Sequence, residues 1–120
     1  MSKYVDGFVL PVPKANVEAY RKIAQQAGEV WREYGALEYI ECVADDVQEG
    51  KVTSFPQSVN LKPDETVVFS WIVYESREER DRINELVMKD PRLNEMMKPE
   101  DMPFDGMRMF WGGFETIVEL

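Results

Sequence analysis

The run ETVVFSWIVYE, residues 65–75, constrains the fold more than any other stretch of the chain. A strand turns alternate side chains to opposite faces of its sheet. Here both phases are apolar: Val68, Ile72 and Tyr74 share one face, and Val67, Phe69, Trp71 and Val73 share the other. An antiparallel sheet with one solvated face would alternate apolar with polar, so both faces of this strand must be covered.

The elements around it decide what can do the covering. YVDGFVLPV, residues 4–12, is rich in β-formers and closes on prolines, which predicts a first strand. From about Asn16 the period changes: Val17, Tyr20, Ala24, Ala27, Trp31 and Tyr34 recur at three- and four-residue steps up to Gly35, the signature of an amphipathic helix with a C-terminal glycine. ALEYIECVA, residues 36–44, reads as a second strand, and a short helical turn is expected near Pro56. Ser76 and Glu79 form a capping box that opens a second helix, with Glu78–Arg82 and Arg77–Asp81 spaced to pair. PRLNEMM predicts a short helix starting on proline, and MRMFWGGFETIVE a last strand whose Gly112-Gly113 pair implies a bulge or a place where another backbone or a ligand comes close.

The order β-α-β-β-α-β predicts an α+β domain spanning 1–120 of the ferredoxin-like type, a four-stranded antiparallel sheet with both helices on one face. Helices in that order cover one face only. The second apolar face then calls for another layer, most economically the same face of a second copy, so a homodimer is expected.

Composition narrows the function. Asp and Glu number 23 against 14 Lys and Arg, a net charge of −9 that repels phosphate backbones and anionic membrane surfaces, so neither nucleic acid nor membrane is an expected partner. There is no His and a single Cys, Cys42, which removes zinc-finger spacing, Cys–His nucleophiles, His-based triads and disulfides. Cys42, inside an apolar strand, reads as a small buried hydrophobe. The loop DDVQEG has acids at Asp45 and Glu49, but Val47 interrupts the calcium-loop pattern, so it reads as a turn. No metal and no cofactor are expected. The N-terminal apolar run is too short and too interrupted for a signal peptide, which makes a cytoplasmic location the expectation.

Polar residues inside apolar strands are the informative ones. Asp6, Glu41 and Arg108, with Ser70, Trp71 and Asp105 nearby in the pattern, are the candidate ligand-binding residues. Carboxylates in such places can hold or take a proton, while the bland alternative makes the same residues cross-strand ion pairs. Six of the seven methionines fall between residues 88 and 109, suited to an adaptable pocket or to gap-filling.

Four ordered blocks, YVDGFVLPVP, GALEYIECVADDV followed by GKVTSFPQSV, ETVVFSWIVYESR and MPFDGMRMFWGGFE, together resemble the YbaA-like family of small bacterial proteins along nearly the whole chain. The resemblance implies the dimeric α/β-barrel form of the ferredoxin-like fold. That superfamily includes cofactor-independent monooxygenases, lactone isomerases, haem-binding enzymes and proteins with no known ligand, so the resemblance implies no single activity. Haem held through His is excluded here. Two expectations follow: a homodimer binding a small, partly apolar metabolite, as a cofactor-independent enzyme of the monooxygenase or isomerase type, or a non-catalytic dimeric interaction module with no ligand.

Overall fold

The computed structural model describes residues 2–98 and 102–120. Its elements run β1 (Tyr4–Pro13), α1 (Val17–Tyr34), β2 (Glu38–Val43), α2 (Phe55–Ser58), β3 (Glu65–Tyr74), α3 (Arg77–Lys89), α4 (Pro91–Met96) and β4 (Phe110–Glu115), with 3-10 turns at Lys14–Asn16 and Gly106–Arg108. All strand pairs are antiparallel and the sheet order is β2-β3-β1-β4, the ferredoxin-like arrangement expected from the element order.

Local chemistry accounts for the helix ends. Gly35 stops α1 at a φ of 121°, a conformation that disfavours any residue with a Cβ. The Ser76 hydroxyl accepts from the Glu79 N–H at 3.2 Å to open α3, and Arg77 meets Asp81 at 3.7 Å. The expected Glu78–Arg82 pair gives way to Glu79–Arg82, because Glu79 offers both oxygens to the guanidinium, at 2.7 and 2.9 Å. Ser54 caps α2 and Asp90 caps α4, which begins at Pro91.

One sheet face carries the helices. Leu10, Val12 and Val68 are buried against Tyr20 and Ala24 of α1, and Ile72 and Tyr74 against Val30, Ile83 and Val87 of α1 and α3. On the other face the chain covers more than the topology alone predicts: Val59, just after α2, packs on Val9 and Val67 and seals that end. The rest stays open, with Phe69 41%, Phe110 48% and Phe114 65% exposed. Cys42 belongs to this open face. It is exposed rather than buried, because β2 is an edge strand and no layer formed by the described residues lies over it.

The last strand is shorter than the run 107–119. Asp105 accepts from the Met107 N–H and turns the chain ahead of it, while Thr116 bonds the Lys3 carbonyl just before β1 begins, so the ladder ends there. No bulge occurs at Gly112-Gly113: the pairing with β1 is continuous from Tyr4↔Glu115 to Val9↔Phe110. What comes close is neither backbone nor ligand but two side chains of the same chain. A Cβ on Gly113 would lie 2.5 Å from the Tyr4 hydroxyl and would also strike the Arg80 guanidinium.

Candidate functional site

A cavity of about 250 Å³ lies between the helix-covered face of the sheet and α1 and α3. The strand register builds its floor. Glu41 on β2, Ser70 on β3, Phe8 on β1 and Trp111 on β4 stand opposite one another in a single row across the sheet, and Asp6 is one step away on the same face of β1. Three of the clustered methionines, Met88, Met97 and Met109, add flexible apolar wall.

Asp6 is 1% exposed. One of its oxygens, Oδ2, accepts from Asn84 Nδ2 at 3.3 Å; the other, Oδ1, lies 3.3 Å from Arg80 Nε without the alignment of a hydrogen bond, and both of those atoms are unbonded. Burial pushes the Asp6 carboxyl up from its ordinary value, with the Arg80 charge and the Asn84 bond opposing it. Arg80 is held away from an ideal approach: it donates to the Tyr4 hydroxyl at 3.1 Å, lies over that ring at 4.9 Å and meets Asp81 at 3.2 Å. Asn84 is fixed in turn by Trp31 Nε1 at 2.9 Å and the Tyr74 hydroxyl at 3.1 Å, both donating to its Oδ1.

Glu41 has a different environment. Its two oxygens accept from the Tyr20 and Tyr39 hydroxyls at 2.6 and 2.7 Å. Burial, reinforced by the neighbouring carboxylate, pushes both phenols far above their ordinary range, so they remain donors. Among the described residues no Lys or Arg forms an ion pair with Glu41. Tyr39 reaches this position because α1 has Gly28 beneath it; a Cβ there would sit 2.6 Å from the Tyr39 ring. Tyr20, Tyr39 and Glu41 also line an open cleft of about 470 Å³ on the outer side of α1 and β2, so their hydrogen-bonded bar is the wall between cleft and cavity.

The structure thus brings Asp6, Glu41 and Ser70 together around one space. Trp71 borders it, but its ring packs on Phe69, 5.6 Å between centroids, on the open face. Asp105 and Arg108 lie elsewhere. Arg108 donates to Glu65 Oε1 at 2.8 Å, to Asp105 at 2.9 Å and to the carbonyls of Val59 and Asn60, tying the start of β3 to the turn before β4. Tyr20, Trp31, Tyr39, Arg80 and Asn84 are further polar groups of the site that the residue pattern did not single out. A signal existed, since Tyr and Trp tips inside an apolar helical stripe need partners when buried.

Several known proteins are similar to this chain. The "Uncharacterized protein YbaA" of Escherichia coli (strain K12) is 51% identical over 117 residues, covering 98% of both chains, and the same holds for the Shigella flexneri protein of that name. Among solved structures, a dimeric ferredoxin-like protein from an uncultured marine organism aligns with a TM-score of 0.61 at 9% identity over 100% of both chains. A NIPSNAP family protein with unknown function from Agrobacterium tumefaciens aligns at 0.59 with 10% identity, covering 95% of this chain and 87% of that one. At such identities the structural likeness speaks for the ferredoxin-like fold alone. The family model described as "Protein of unknown function (DUF1428)" matches residues 3–106, and with the half-identical YbaA relatives it shows that the chain belongs to that family.

Proposed function

We propose that the protein acts as a homodimer in which each subunit binds one small, partly apolar molecule in the cavity between sheet and helices. The observation that carries this is Asp6: a carboxylate 1% exposed, lining a 250 Å³ space, with one oxygen unbonded. Buried polar atoms are nearly always satisfied, so a carboxylate oxygen left with only a misaligned guanidinium, in a residue that borders a cavity, supports a ligand group there. An engineered apolar cavity of roughly 150 Å³ admits benzene, so the space here suits a substituted ring. Asp6, its carboxyl raised by burial, is also the group placed to take a proton from such a molecule in a cofactor-independent reaction.

The dimer is supported by the open aromatic face and by two fold neighbours that are dimeric ferredoxin-like proteins. No helix among the described residues is long and apolar enough to cross a membrane, and the acidic charge speaks against nucleic acid, so we place the protein in the cytoplasm. The reading of a ligand-free interaction module draws its support from Asp105 and Arg108, whose contacts join backbone segments rather than line the cavity.

Native mass spectrometry of the purified protein tests the proposal. A dimer with a reproducible extra mass, lost in Asp6→Ala while the dimer persists, is the expected result. A bare monomer would overturn the dimer, and an Asp6→Ala dimer that keeps the extra mass would overturn the site.

A further inference from the structure

Resting on the cavity just proposed, the geometry points to the class of molecule it holds: we propose an organic ammonium ion of about one ring in size, its N–H groups donating to Glu41 and its apolar body lying among the surrounding aromatic rings.

The two acids of the cavity differ in their charge balance. Asp6 faces the Arg80 guanidinium. Among the described residues Glu41 is met only by two neutral phenols, and the arginines of the adjoining cleft are occupied elsewhere: Arg21 on Glu18 at 2.7 Å, and Arg32 on the carbonyls of Ala36 and Leu37. A half-buried carboxylate with no cation beside it is costly unless a counter-charge arrives from outside the chain. The walls favour the same class. Trp31 and Tyr39 stand 5.9 Å apart beside Glu41, Tyr20 donates to it, and Phe8 and Trp111 stack at 6.0 Å along its row of the sheet. Electron-rich faces around a carboxylate are the usual recognition chemistry for ammonium groups.

The hydrogen-bond inventory speaks against the opposite class. Trp31, Tyr20 and Tyr39 spend their donors on acceptors within the protein, and Asn84 spends one of its two N–H groups on Asp6, leaving acceptor capacity at Glu41. Ser70 and Trp111 add one neutral hydroxyl and one indole N–H, too little to hold an anion between two carboxylates.

Isothermal titration of the dimer with benzylammonium, benzyl alcohol and benzoate, three probes of one size and three charges, tests the class. Benzylammonium should bind at least about tenfold more tightly than benzyl alcohol, as a charge-assisted bond does over a neutral one, and benzoate should not bind. Glu41→Gln should bring the ammonium down to the level of the alcohol and leave the alcohol unchanged. The ranking on the unmodified protein is decisive even where that variant fails to fold. Alcohol or benzoate binding as tightly as the ammonium would overturn the ammonium class and leave the cavity standing. Binding of none of the three would overturn the cavity reading together with this inference.

Discussion

Arg108 invites mutation as a site residue, and its contacts predict a different outcome. The Glu65 side chain is 5% exposed and that of Arg108 16%. Arg108→Met leaves a buried carboxylate without its cation, and breaking a buried pair from one side costs about 3 to 5 kcal/mol. Arg108 keeps some access to water, so the lower end applies, about 3 kcal/mol, or a fall in Tm of about 12 °C for a domain of this size. Glu65→Leu alone strands the guanidinium instead. The double variant Arg108→Met with Glu65→Leu removes both charges of the pair and loses the bond that Glu65 accepts from the Lys62 N–H, at 2.8 Å, together with the bonds of Arg108 to Asp105 and to the carbonyls of Val59 and Asn60. Its cost should lie below the sum of the singles, because neither charge is left buried alone. Urea unfolding at one fixed protein concentration measures all four members of the cycle, since a dimer's stability varies with concentration. The pH dependence has a definite sign. The hydrogen bonds from Arg108 hold the Glu65 carboxyl below its ordinary value, so its stabilisation is complete above that value and is lost as pH falls through the lowered one. The gap between wild type and Arg108→Met should therefore shrink below about pH 4. Single costs under about 1 kcal/mol that simply add in the double variant would refute the buried-pair account.

Three further outcomes follow from particular contacts. Gly28→Ala gains about 1 kcal/mol of helix propensity but forces the Tyr39 ring off α1, so a net loss of about 1 kcal/mol in urea unfolding is expected, and a gain would show that the ring yields freely. Asp6→Asn tests the raised carboxyl: an acid whose folded value is raised loses stability as pH rises from its ordinary value through the raised one, so the variant should gain on wild type as pH rises above about 4. The opposite slope in urea midpoints would mean that Arg80 outweighs burial. Trp71→Glu places a charge in the middle of the open face and should give a folded monomer by analytical ultracentrifugation; an intact dimer would move the interface elsewhere.

What could be read from the residues followed from periodicity. The double apolar phase of residues 65–75, the 3.6-residue stripe ending at Gly35 and the Ser76 cap all report local physics, and each lies where the pattern puts it. Asp6, Glu41 and Ser70 were legible because alternation on three strands sets them among apolar neighbours, and pairing then puts Glu41 opposite Ser70. Register across strands is not local. Nothing in the sequence spacing says that Arg108 reaches Glu65, 43 positions away, rather than Asp6. Cys42 was misplaced for a related reason: strand-like composition does not tell an edge strand from a central one, and only the sheet order leaves β2 at the margin. Asn84 and Arg80 stayed hidden because a polar residue on a helix reads as solvated until the neighbouring strand supplies an acid for it.

The two faces of β3 tie the proposed dimer to the proposed cavity. Ser70 and Ile72 form cavity floor while Phe69 and Trp71, the residues beside them, stand on the open face. A strand is too stiff to move one set of side chains without the other, since adjacent residues share the same peptide planes. A second copy packed on Phe69 and Trp71 would therefore hold Ser70 in place, and through the pairing Glu41↔Ser70 it would steady the carboxylate on the edge strand, which has a neighbour on one side only. The cavity of an isolated subunit should accordingly be looser than that of the dimer. Trp71→Glu, on the face away from the cavity, should then weaken binding of benzylammonium as well as split the pair, whereas a monomer that binds as tightly as the dimer would show that the two faces of the sheet work independently.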